Sequence, residues 1–298
     1  MKARCPATPL VFAALTSIVH AQANPESAPG TKPEDWVYIE NSKLRLGVLR
    51  SSGGAIAYLA QSGSTRNLLN HFDRGRLVQQ SYYGDSDGSL WDKRPWRYNP
   101  VQGGDYHGKS PRLLELRSDS TSLYSKSVPL HWATGMELRE CVMEQWVRLE
   151  GSIVHARFQI TYQGTTTHSA RHQEIPAIFV DASLATLVTY SGDTPWTHAA
   201  LTRHSPGAVN EYFKITENWV ACVDEKDFGI GAFVPIATDM TCYRFRGGSG
   251  SDCSYVAPIA TFALQPGLKF AYDAYFAIGS TEQIREQFSN VRKALMPK

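Results

Sequence analysis

The chain has 298 residues, with 30 Lys and Arg set against 28 Asp and Glu and a formal net charge of +2. Near-neutrality without any Lys/Arg run excludes nucleic acid as a partner, because phosphate binding needs concentrated positive charge. Aromatic residues reach 11%, including seven Trp and fourteen Tyr, a composition that favours a β fold with a stacking surface over a helical bundle.

Residues 1–23 read as an export signal. Lys2 and Arg4 precede an apolar run at 10–19, shorter than the roughly 20 residues of a spanning helix. Val19-His20-Ala21 and Ala21-Gln22-Ala23 both offer a small-residue cleavage site, and the choice stays open. No later run spans a bilayer, so the expected product is secreted or periplasmic and has no membrane partner. Residues 24–35 are expected to be a disordered leader, rich in Pro, Ser and Gly up to Glu34. Removing 23 of the 298 residues leaves 275, enough for one large β domain or two small ones. No repeat or clear boundary divides residues 36–298, which are taken as one domain.

Periodicity predicts strands at 36–40, 44–48 and 55–60. A hairpin of 137–149 and 153–162 follows, turning at Glu150-Gly151-Ser152. Further strands are expected at 178–180, 186–190, 219–223, 229–234, 241–245 and 270–276. In the arm 153–162, Val154, Ala156, Phe158, Ile160 and Tyr162 alternate with His155, Arg157, Gln159 and Thr161, the mark of a strand with one buried face. One helix is expected near the end. Ser280 can cap it with Gln283 three residues on, and Ile284, Phe288, Val291 and Leu295 form its apolar stripe. The expected fold is all-β, a single large antiparallel sandwich with a short C-terminal helix.

Cys5 leaves with the export signal. Cys141, Cys222, Cys242 and Cys253 remain, an even number that favours disulfides in an exported chain. Cys242 and Cys253 flank the flexible loop Gly247-Gly248-Ser249-Gly250-Ser251, so a bridge between them is expected. The pairing of Cys141 and Cys222 stays open. No zinc-ligand spacing is present.

Chemistry concentrates in two stretches. The first runs from Gln79-Gln80-Ser81-Tyr82-Tyr83-Gly84 to Trp96-Arg97-Tyr98-Asn99-Pro100-Val101-Gln102-Gly103-Gly104-Asp105-Tyr106-His107. Flat rings stack on the apolar face of a pyranose, and amides, Arg and carboxylates bond its hydroxyls. Gln80, Tyr82, Trp96, Arg97, Asn99, Gln102 and His107 are therefore candidate glycan contacts. The second is Arg171-His172-Gln173-Glu174-Ile175-Pro176. On a strand, His172 and Glu174 share one face, able to act as a proton-transfer pair, while Arg171 and Gln173 share the other. Asp85-Ser86-Asp87-Gly88-Ser89 is similar to part of a calcium loop, but Trp96 stands where the twelfth, acidic ligand belongs, and it reads as a turn. The loop Thr194-Pro195-Trp196-Thr197-His198 can border a sugar cleft. No serine-hydrolase, phosphate-loop or dinucleotide motif appears in a usable context, and no cofactor or metal is expected.

Glu40-Asn41-Ser42-Lys43-Leu44-Arg45-Leu46-Gly47-Val48, then Gly53-Gly54-Ala55-Ile56, then Asn67-Leu68-Leu69-Asn70 resembles the opening of galactose-mutarotase-like β-supersandwich proteins. The likeness is strongest over residues 36–110. It implies one antiparallel supersandwich with a sugar site on its concave face. Aldose epimerases of that superfamily use a histidine acid and a late glutamate base, in local motifs that have no match here; polysaccharide lyases and glycoside hydrolases share the fold.

The expected function is cleavage of a glycan, with a lyase on an acidic glycan slightly favoured. In that mechanism His172, Tyr83 or another tyrosine takes a proton beside a uronate that Arg97 or Arg171 neutralises. The alternatives are a glycoside hydrolase using Asp105 and Glu174 as its carboxylate pair, an aldose epimerase, or a non-catalytic glycan binder.

Overall fold

A computed structural model describes residues 31–70, 75–247 and 252–296. The expected export signal and most of the expected leader lie outside those residues. The leader's end is not disordered: Pro33–Asp35 forms a 3-10 turn, where Asp35 Oδ2 accepts from the Lys32 amide.

Two large antiparallel sheets make the body. The seven-stranded sheet runs, across its width, through Leu130–His131, Pro100–Val101, Gln79–Ser81, Arg171–Asp181, Cys253–Phe262, Asp239–Phe245 and Glu211–Lys214. The nine-stranded sheet runs through Thr202–His204, Thr186–Thr189, Trp219–Val223, Phe228–Phe233, Leu268–Ser280, Ile153–Tyr162, Cys141–Glu150, Ser122–Val128 and Arg112–Ser118. A three-stranded sheet of Trp36–Glu40, Leu44–Leu49 and Ala55–Gln61 completes the amino-terminal end.

The alternation in 153–162 sets the stacking of the sheets. Val154, Ala156, Phe158, Ile160 and Tyr162 enter one core cluster with Ile175, Ile178, Val180, Met240 and Val256 of the opposing sheet. Each Val, Ile, Phe or Met side chain among them, once fully buried, contributes about 1.5–3 kcal/mol. The hairpin turns at Gly151, whose φ of 62° lies in the left-handed region that glycine tolerates.

The helix Thr281–Leu295 starts where its capping box predicts. Ser280 Oγ accepts from the Gln283 amide, and the Gln283 side chain accepts from the Ser280 amide. Ile284 and Phe288 pack on Trp219, Phe233 and Tyr275, on the outer face of the nine-stranded sheet. Gly231 lies beneath them, and a Cβ there would strike Ile284 and Phe288. Leu295 departs from the expected stripe, because it is 50% exposed at the last turn.

Three strands of seven residues or more have no counterpart in the sequence expectations, besides several shorter ones. Arg112–Ser118 and Ser122–Val128 form an edge hairpin whose first arm is largely exposed and polar. Cys253–Phe262 is central in its sheet, although Pro258 interrupts it and proline argues against a central strand.

The expected Cys242–Cys253 bridge is not formed; neither these nor Cys141 and Cys222 are in a disulfide. Cys242 pairs with Val256 across the ladder, and Cys253 stands three residues before Val256. An odd offset on a strand turns two side chains to opposite faces. Cys242 accordingly sits in the inter-sheet core and Cys253 on the outer side with Tyr255 and Ala257. Burial pushes the Cys141, Cys222 and Cys242 thiols up to about 12, so they behave as small apolar groups.

Candidate functional site

The outer face of the seven-stranded sheet carries a cleft. The strand Gln79–Ser81 and Tyr83 after it alternate, so Gln79, Ser81 and Tyr83 line the cleft while Gln80 and Tyr82 turn inward. Next to it, the ladder of Arg171–Asp181 slips between Glu174 and Ala177, which lets Glu174, Ala177 and Phe179 all face the cleft. In the strand beyond, Tyr255 pairs with Phe179 on one side and with Tyr243 on the other. The three rings stand 4.8 and 4.5 Å apart and form one wall.

Glu174 occupies the floor. Its Oε1 accepts from the Tyr83 hydroxyl at 2.9 Å and from the Tyr255 hydroxyl, and Ser81 adds a further hydrogen bond. Burial raises its carboxyl above the ordinary glutamate range, against the lowering pull of Tyr255, Ser81 and Tyr83. Burial, then the neighbouring Glu174 charge, pushes both phenols well above the ordinary tyrosine value. They are protonated donors at neutral pH.

Glu174, Tyr83, Trp96 and Asn210 border two adjoining cavities. One, of about 490 Å³, continues past Trp91, Trp132, Arg94 and Asn99. The other, of about 410 Å³, continues past Arg97, Arg171, His172 and Tyr212. Arg171 donates to Asp85 Oδ1 at 2.7 Å. The Ser169 amide and then Arg171 hold the Asp85 carboxyl below its ordinary value. Arg97 stacks near Trp96 and Tyr83, at 5.6 and 6.0 Å, and makes no ion pair with a described carboxylate.

The site thus gathers Tyr83, Trp96, Arg97, Asn99, Arg171, His172 and Glu174 from the sequence expectations. Asn99 is mainly structural within it, donating to the Tyr82 carbonyl at 2.7 Å and accepting from Trp96 Nε1 at 3.3 Å. The expected His172–Glu174 pair is not made, since the His172 ring tilts against Tyr212 at 5.8 Å while Glu174 is held by phenols.

Five expected residues belong elsewhere. Gln80, Tyr82 and Gln102 are fully buried between the sheets. There Tyr82 donates to Gln80 Oε1, Gln80 Nε2 to the Glu144 carbonyl, and Gln102 Nε2 to Gln145 Oε1. These groups satisfy one another and the backbone, as buried polar atoms must. Asp105 closes a turn, accepting from the amides of His107 at 3.1 Å and Lys109 at 2.7 Å. It borders neither cavity and cannot pair with Glu174. His107 is exposed and packs on Tyr106 at 3.8 Å. The 194–198 loop lies against the helix instead of the cleft, with Trp196 beside Phe233 and Arg292.

Tyr255 and Trp91 were missed. Pro258 disguised the strand that carries Tyr255, although the run Tyr255-Val256-Ala257 before it is apolar and suits a strand buried on both sides. Trp91 sits on a two-stranded hairpin, Leu90–Trp91 with Arg94–Pro95, too short for any period to show.

No family profile matches this chain, and no curated protein sequence does. Solved structures do. A galactose mutarotase related enzyme from Lactobacillus acidophilus aligns over 83% of this chain and 98% of its own, at a TM-score of 0.54 and 10% identity. A candidate aldose 1-epimerase from Escherichia coli K12 aligns over 82% and 99%, at 0.53 and 12%. A galactose mutarotase-like protein from Lactobacillus casei aligns over 82% and 99%, at 0.52 and 10%. The fold is that of the galactose mutarotase-like proteins. At this identity the likeness concerns the backbone arrangement, and the chemistry must be argued from the cleft itself.

Proposed function

We propose that the cleft binds a carbohydrate and that Glu174 moves a proton on it, as in an aldose epimerase. The observation that carries this reading is the single recessed carboxyl between two phenols, on a fold shared with a galactose mutarotase related enzyme and a candidate aldose 1-epimerase. A carboxyl raised toward neutrality is a fitting general base at working pH. Glu174 takes the proton of the anomeric hydroxyl as the bond from the anomeric carbon to the ring oxygen breaks. Tyr83 or Tyr255 gives its proton to that ring oxygen and regains one from Glu174, which it touches. The aldehyde then rotates and closes on its other face by the reverse steps. Phe179, Tyr243 and Tyr255 supply a wall for the apolar face of the sugar.

Hydrolysis by an Asp105–Glu174 pair loses its support with Asp105 outside the cleft. β-Elimination keeps one favouring observation, the Arg97 guanidinium without a carboxylate partner among the described residues, which suits a uronate. One set of assays separates the readings: polarimetry on freshly dissolved α-anomers of common aldoses, run beside ultraviolet absorbance on uronate polymers. Faster mutarotation that disappears in Glu174→Gln supports epimerisation. Rising absorbance with no effect on mutarotation replaces it with elimination. Silence in both removes the catalytic reading.

We further place the activity outside the cytoplasm, because residues 1–23 have the charge and apolar pattern of an export signal. Mass spectrometry of the protein from its native cells should find a chain beginning at Gln22 or Asn24. An intact Met1 in the mature protein would refute export.

A further inference from the structure

Glu174 does not sit at the blind end of a pocket. Two cavities of about 490 and 410 Å³ meet at it, sharing Tyr83, Trp96, Glu174 and Asn210. From this meeting point a line of rings leads away along the larger cavity. Tyr83 to Trp96 is 6.5 Å, Trp96 to Trp91 4.7 Å, and Trp91 to Trp132 6.0 Å. The line continues to Tyr106, 6.2 Å from Trp132, and ends at the exposed His107. Neighbouring Trp rings are inclined by 67° and 69°, so successive faces turn as the line advances. Each Trp is half-buried, which leaves part of its surface to solvent. Arg94 stands beside the rings in the same cavity and is exposed, so a polar group accompanies the stacking surfaces.

Resting on the carbohydrate reading above, we propose that the cleft takes an oligosaccharide, with one sugar at Glu174 and the following sugars along Trp96, Trp91 and Trp132. A single sugar would leave the tryptophan line uncovered. A saccharide chain matches it, because its rings turn from one residue to the next and present apolar faces between hydroxyl edges. A fatty chain would leave the exposed Arg94 guanidinium in that cavity without a partner. Trp91 belongs to the small hairpin outside both large sheets, so the line can be altered without touching the proton-transfer groups.

The test is a tryptophan-fluorescence titration of the full chain with free saccharides of one to six rings, in cello-, malto- and galacturono- series. In the best-bound series, affinity should rise about tenfold or more from one ring to three or four, as two or three stacking contacts are added. Trp91→Ala should flatten that rise while leaving monosaccharide affinity unchanged. Trp91→Phe should restore part of it, a rescue that a loss of folding would not allow. Equal affinity for one ring and for four, no binding in any series, or an unchanged rise in Trp91→Ala would each overturn the proposal. Glu174→Gln distinguishes the two readings: it should abolish turnover yet keep the dependence on length. If turnover is absent in the wild type and the length dependence is present, the epimerase reading fails and the oligosaccharide track stands.

Discussion

Two recessed glutamates on opposite sides of the molecule show how different surroundings give one side chain different work. Glu217 lies under the helix with its side chain wholly buried, and Arg285, 8% exposed, meets it with two nitrogens. Trp219 Nε1 and the Trp196 amide fill its remaining acceptor positions. Burial pushes its carboxyl up, but Arg285, Trp219 and Trp196 outweigh that push and leave it below the ordinary value. Among the described residues no cation lies against the Glu174 carboxyl, which meets the phenols of Tyr83 and Tyr255 and the Ser81 hydroxyl. Burial dominates there, and its carboxyl is raised. Glu217 is thus a permanent anion locked to a permanent cation. Glu174 is pushed by burial toward its protonated form, beside open space. The contrast is what favours Glu174 for the proposed proton transfer, and it makes Glu217 a fastening for the helix.

The contrast breaks most sharply if the two carboxyls are removed in turn. Glu174→Gln should cut turnover about 10²–10⁴-fold, the usual range for a lost general base, with the melting temperature equal or higher because a desolvated acid is gone. A melting temperature that falls with activity would make Glu174 structural. Glu217→Ala should do the reverse. It strands a buried Arg285 and should cost about 3–5 kcal/mol in urea unfolding, with activity per folded molecule retained. A loss under about 1 kcal/mol would mean that the pair is solvated in solution.

A smaller effect is expected from the phenols. Tyr255→Phe removes a hydrogen bond to a charged acceptor, worth about 1.5–3 kcal/mol, so turnover should drop roughly ten- to hundredfold. Those hydrogen bonds lower the Glu174 pKa. Their loss must therefore raise it, and the acid limb of the pH–rate profile should move to higher pH. An unmoved limb would show that another group is titrating.

The mildest test is pH itself. The wild-type rate should climb as pH rises through the elevated Glu174 value, where the base form appears. Glu174 has a folded pKa above its unfolded one. Its stabilising contribution is therefore full below the ordinary glutamate range and is lost as pH rises through the raised value. Glu217, with a lowered folded pKa, contributes stability above the ordinary range and loses it as pH falls through the lowered value. Denaturant midpoints measured in Glu174→Gln and Glu217→Ala across this pH range should separate the two slopes.

Much of the fold was legible because it repeats a local rule. The period of two in 153–162 named the core face residue by residue, and Ser280 with Gln283 marked the helix start. The same rule put His172 and Glu174 on one face and Arg171 with Gln173 on the other; Gln173 is buried, but Arg171 borders the cleft beside His172. It could not say which face of Gln79–Ser81 meets the cleft. Gln80 and Tyr82 look as suited to a sugar as Gln79, Ser81 and Tyr83, and a shift of one residue exchanges core for surface. The Cys242–Cys253 expectation failed on the same parity, since closeness along the chain does not decide which way a side chain points.

By itself the sequence determined the β architecture, the hairpins and the capped helix, and it offered Glu174 and Tyr83 as candidates for the site. These follow from patterns within a dozen residues, where hydrophobic periodicity and capping act. Tertiary structure alone decided that Glu174 meets Tyr83 and Tyr255, that Asp105 does not join it, and that Trp91, Trp96 and Trp132 form one line. Tyr83 and Tyr255 are 172 positions apart in the chain and meet around Glu174 because the strand of Glu174 lies between theirs in one sheet. The order of strands is set by burial of the inter-sheet core, a sum over the whole chain that no local stretch encodes.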